Sequence, residues 1–138
     1  MGWTMKMNAN VNGRKLPVIP LKADLRPVHG YYKRRRGYII YCMIVGYPEN
    51  AWERIIEYAE YLRTEYGKNV KLHLAAGTDG LYLRYEREDG VPLYIDERGV
   101  IYTCGKARRF KSKLNATIRF LCESCGYRVK EKKICEWF

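Results

Sequence analysis

Residues 81–104 read LYLRYEREDGVPLYIDERGVIYTC: three short apolar runs broken by EDG and ERG. The runs are rich in Tyr, Leu, Ile and Val and too short for helices, and each break carries a glycine suited to a tight turn. One step upstream, VKLHLAA (70–76) leads into GTDG (77–80) in the same rhythm. Four such runs joined by three turns predict a four-strand antiparallel meander.

Working outward, PENAWERIIEYAEYLRTEYG (48–67) predicts a helix, with Trp52, Ile55, Ile56, Ala59, Leu62 and Tyr66 on one face. Pro48 and Glu49 suit its first turn and Gly67 its C-terminal cap. Before it, YIIYCMIV (38–45) is apolar on both faces and reads as a central strand. After the meander, KARRFKSKLNATIRFLCESCG (106–126) sets Phe110, Leu114, Ile118, Leu121 and Cys125 at helical spacing, stopped by Gly126. The closing YRVKEKKICEWF is a last strand or a basic tail. The order strand, helix, four-strand meander, helix, strand predicts an α+β fold, an antiparallel sheet with two helices on one face. Residues 37–138 form the single domain in this reading. Residues 1–36 form a basic N-terminal extension or arm, in which LPVIPL could add an edge strand.

Across residues 80–110 and the helix that follows, GLYLRYEREDGVPLYIDERGVIYTCGKARRF resembles one half of an archaeal TATA-box-binding protein. The resemblance implies DNA bound on an open sheet face, with aromatic wedges in the minor groove. The chain holds one such half, and none of its aromatic pairs matches the wedge positions.

Of the charged residues, 26 are Lys or Arg and 15 Asp or Glu, a net charge of +11. Residues 1–36 carry +8 and residues 105–138 carry +7, around a mildly acidic middle. Basic ends of this kind suit an anionic partner, DNA or RNA first among them. Three blocks stand out. In YYKRRRGYIIY, Tyr31 and Tyr32 precede Lys33, Arg34, Arg35 and Arg36, pairing base-stacking faces with phosphate-binding cations. In GKARRFKSK, Arg108, Arg109, Lys111 and Lys113 lie at a helix N-terminus, where free amides also attract phosphate. Acidic residues are normally preferred there, so cations break a stability rule. The third block, RVKEKK, supplies Lys130, Lys132 and Lys133.

The five cysteines include Cys122 and Cys125 in LCESCGY (121–127). Over residues 116–137, CESCGY resembles the knuckle of zinc-ribbon proteins, in which C-x-x-C-G-aromatic caps a hairpin. That resemblance implies structural zinc on Cys122 and Cys125, completed by Cys135 and Cys104, with His73 or His29 as outer alternatives. The helical reading instead places the pair in a last turn, where a metal, a disulfide or plain core packing all remain open. A catalytic dithiol is disfavoured at that negative helix end.

No phosphate-cradling glycine loop is present, and two Ser with two His offer little for a hydrolytic triad. Asp79, Asp89 and Asp96 sit in turns and could seat a metal for nuclease chemistry, the enzymatic alternative. The longest apolar run, GYIIYCMIVGY (37–47), is too short to span a bilayer, and no secretory or lipidation signal is evident. The reading is therefore a cytoplasmic, intracellular protein that contacts no membrane. The absence of Gln and the scarcity of Ser suit work at high temperature. The sequence thus reads as a non-enzymatic nucleic-acid-binding accessory protein of a heat-loving archaeon or its virus, possible homodimer and possible virion component included. A structural protein acting by self-association is the other alternative.

Overall fold

The computed structural model describes residues 8–136 and has the α+β architecture, ten strands with two helices. The strands are β1 (Asn8–Val11), β2 (Arg14–Pro20), β3 (Leu25–Pro27), β4 (Gly30–Arg35), β5 (Tyr38–Gly46), β6 (Lys71–Gly77), β7 (Gly80–Glu86), β8 (Pro92–Ile95), β9 (Ile101–Cys104) and β10 (Arg128–Glu136). Helix α1 is Ala51–Tyr66 and α2 is Lys111–Ser124, the latter preceded by a 3-10 turn, Ala107–Phe110. The expected meander is β6–β9, paired antiparallel throughout.

Two sheets form where one was expected. Seven strands run in the order β1-β2-β6-β7-β8-β9-β3, and a separate sheet runs β10-β5-β4. YIIYCMIV is a central strand, but of the smaller sheet. The described part of the expected arm is structured: residues 8–35 supply β1–β4, while residues 1–7 of that arm lie outside the described residues. Asn12 and Gly13 both have positive φ (50° and 75°), the two-residue hairpin turn that joins β1 to β2. β2 then lies parallel to β6, with Val18 opposite Leu74, so LPVIPL is an interior strand rather than an edge.

Alternation along the strands decides which faces are buried. Leu72, Leu74, Leu83, Tyr85, Leu93, Ile95 and Ile101 point to one face of the large sheet. They share a core with Ile55, Ile56, Ala59 and Leu62 of α1 and with Ile118, Leu121 and Cys122 of α2. The inner face of the small sheet, through Tyr31, Ile40 and Cys42, closes the same core. Trp52 is half-buried, its indole Nε1 donating to the Ile95 carbonyl at 2.9 Å. Tyr66, expected on the buried face, is exposed beside Tyr61. Gly67 (φ 64°) ends α1 as expected, its N–H donating to the Arg63 carbonyl while Lys68 N–H reaches back to Leu62.

The opposite face of the large sheet is concave. β2 and β3 lie five strand spacings apart in the sheet order, which in a flat sheet is about 24 Å. Only residues 21–24 join Pro20 to Leu25, a reach of at most about 18 Å. The sheet must therefore curl, and the connection crosses its concave side. There Leu21, Ala23 and Leu25 join Ala75, Tyr82, Tyr94 and Cys104 in a second apolar cluster.

Candidate nucleic-acid interface

The small sheet joins two of the basic blocks. β4 and β5 form a hairpin turned by Arg36 (φ 49°) and Gly37 (φ 82°). β10 pairs with the other side of β5, placing Lys132 opposite Tyr41 and Lys130 opposite Met43. Because side chains alternate, KRRR divides between the two faces. Lys33 and Arg35 point inward, where Lys33 Nζ and the Arg35 guanidinium each lie 2.9 Å from the Glu131 carboxylate. Hydrogen bonds from Lys33 and then Arg35 hold the Glu131 carboxyl below its ordinary pKa. Lys133 also faces inward, its ammonium 4.3 Å from the Tyr38 ring centroid. Three of the thirteen expected nucleic-acid contacts are thus engaged within the protein. Tyr31 is a fourth loss, since it is fully buried against Cys42.

The outward face holds Tyr32 and Arg34 of β4, Ile39, Tyr41 and Met43 of β5, and Lys130 and Lys132 of β10. Tyr32 is 54% exposed, and its ring centroid lies 4.8 Å from that of Tyr41. Neither Lys130 nor Lys132 forms an ion pair among the described residues. Arg36 occupies the hairpin tip, exposed.

The remaining block approaches this sheet through one residue that the sequence reading did not single out. Asn115 of α2 accepts from the Tyr32 N–H (2.7 Å) and donates to the Tyr32 carbonyl (2.8 Å). Its amide completes the open edge of β4 as a neighbouring strand would. Lys111 lies four residues before Asn115 and so on the same side of α2, one turn nearer the N-terminus. Arg108, Arg109, Lys111 and Lys113 are all exposed around a hollow of about 570 Å³ that Phe110 also lines. α2 has no side-chain cap and no acidic residue in its first turn, so its positive end faces this hollow uncompensated.

The cysteines take the helical alternative. Cys122 and Cys125 close the last turn of α2, the Cys125 N–H donating to Leu121 O, and Gly126 (φ 85°) follows. Both thiols are buried in the core, and burial pushes them up to about 12. Cys42 lies in the same core, while Cys104 is buried in the concave cluster and Cys135 is exposed on β10. All five are free, and no three His, Cys, Asp or Glu side chains are grouped to hold a metal among the described residues. The carboxylates considered for nuclease chemistry serve separate turns. Asp79 accepts from Tyr82 OH, Asp89 from the Val91 N–H, and Asp96 from the N–H groups of Arg98 and Val100.

A hollow of about 710 Å³ opens on the concave face, bordered by Ile19, Lys22, Arg84, Tyr94, Lys106 and Phe110. Arg84 binds Glu86 at 2.7 Å and leaves its Nε buried without a partner. No helix among the described residues is long and apolar enough to cross a membrane.

No protein-family model, curated protein or solved structure matches the chain.

Proposed function

We propose that this protein binds nucleic acid, DNA or RNA, without catalysing its chemistry, chiefly through contacts to the phosphate backbone. The observation that carries this reading is the convergence of separated basic blocks. Arg34 and the pair Lys130 and Lys132, nearly a hundred residues apart in sequence, share the outward face of one three-stranded sheet. The Asn115–Tyr32 bonds bring the cationic start of α2 alongside. Stability alone gives no reason to gather like charges on one face of a three-stranded sheet. On the inward face of the same sheet, Lys33 and Arg35 share the Glu131 carboxylate, whereas Lys130 and Lys132 form no ion pair among the described residues.

The phosphate ligands in this reading are Arg34, Lys130, Lys132, Arg108, Arg109 and Lys111. Six contacts correspond to a log–log salt slope of about −5 on duplex DNA and about −4 on single strands. The test is fluorescence anisotropy of a labelled oligonucleotide across a salt series, with wild type beside Lys130→Glu/Lys132→Glu. The variant is expected to bind more weakly, with a slope shallower by about 1.5 to 2. Equal affinity and slope for the two proteins would remove the sheet from the interface.

A further inference from the structure

Resting on the nucleic-acid reading, we infer that the ligand is single-stranded and that Tyr32 stacks on one of its bases. Four features of the small sheet combine at this spot. Tyr32 stands on the outward face with 54% of its surface open. Its backbone is clamped at both N–H and carbonyl by Asn115, so the ring projects from a fixed base. Tyr41 flanks it at 4.8 Å with the rings tilted by 48°. Gly30 makes room for Tyr41, because a Cβ there would lie 2.9 Å from the Tyr41 ring and collide with the Cys42 carbonyl.

The cations are arranged around this pair. Arg34 is two residues along β4 from Tyr32, about 7 Å away on the same face. Lys132 is directly opposite, two strands across and about 10 Å away, and Lys130, two residues along β10 from it, is about 12 Å away. An exposed aromatic beside backbone-binding cations is the combination that holds unstacked bases with little sequence preference. A duplex keeps its bases stacked and offers a sheet-borne tyrosine no π-face except at its ends. The phosphate contacts serve either form, whereas the tyrosine distinguishes them.

The probes are a fluorescein-labelled oligothymidylate of about twelve nucleotides and a duplex of the same length. Tyr32→Ala is expected to weaken single-strand binding by about 5- to 150-fold and to leave duplex binding within about two-fold. Tyr32→Phe keeps the π-face and should bind as wild type. Tyr32→Leu keeps an apolar side chain beside Tyr41 without the π-face, and should fail as alanine does, which separates stacking from packing. Lys130→Glu/Lys132→Glu should weaken both probes. If the charge reversal weakens binding while Tyr32→Ala and Tyr32→Leu leave single-strand affinity unchanged, stacking is overturned and the phosphate interface stands. If wild type binds neither probe, the nucleic-acid reading falls and this inference with it.

Discussion

Asp96→Ala should lower the melting temperature by about 10 °C, for reasons that can be counted. Asp96 is 8% exposed at the end of β8. Its Oδ1 accepts from the N–H groups of Arg98 and Val100, both at 3.0 Å, and its Oδ2 from Tyr102 OH at 3.0 Å. The additional bond from Arg98 Nη2 comes from a side chain 72% exposed and is discounted for solvent screening. Three bonds at about 1 kcal/mol net each give about 3 kcal/mol. For a domain of this size the unfolding entropy converts that loss to about 10 °C. The turn it holds also presents Gly99, whose carbonyl accepts from buried Tyr127 OH at 2.6 Å. Asp96→Asn retains an oxygen for the two backbone donors and should cost about a third as much. Calorimetry of both variants at pH 7 is the assay. An Asp96→Ala protein melting within about 2 °C of wild type would show that these bonds do not hold the turn.

Two further outcomes follow from the geometry. Burial pushes the thiols of Cys122 and Cys125 up to about 12 and holds the Tyr85 and Tyr127 phenols well above their ordinary range. These raised values mean that stability is complete at neutral pH and declines once the unfolded chain begins to ionise, above about pH 9. Each such group contributes a loss of about 1.4 kcal/mol per pH unit beyond its unfolded pKa. A melting temperature that stays flat from pH 7 to about pH 11 would contradict the burial of these groups. Arg36 has φ 49° in a turn that favours Asn or Gly. Arg36→Asn should therefore gain about 0.5–1 kcal/mol and raise the melting temperature by about 2–3 °C; a lower value would mean that the arginine makes compensating contacts.

What the sequence discloses depends on how local the determining contacts are. α1 was legible from its period and from Gly67, and the meander from its glycine turns. Tyr66 misled because its spacing continues the apolar stripe past the point where α1 still covers the sheet. The Asn12–Gly13 turn is the strongest short hairpin signal in the chain. It was obscured by polar flanks in NANV and by Pro17 inside the following strand. The parallel pairing of β2 with β6 and the return of β10 to β5 join residues far apart in sequence, and no local pattern announces them. The same limit applies to the interface. Basic blocks were visible, and strand alternation would have assigned Lys33 and Arg35 to the face opposite Arg34. The inward pair's engagement with Glu131, and the edge of β4 completed by Asn115, arise from tertiary contacts alone.

The measurement that bears most directly on the account is the salt dependence of oligonucleotide binding, wild type against Lys130→Glu/Lys132→Glu. The account predicts a slope of about −4 on a single strand for wild type, reduced by about 1.5 in the variant. A slope near zero, or one that the double reversal leaves unchanged, would contradict a phosphate interface on the β10-β5-β4 sheet.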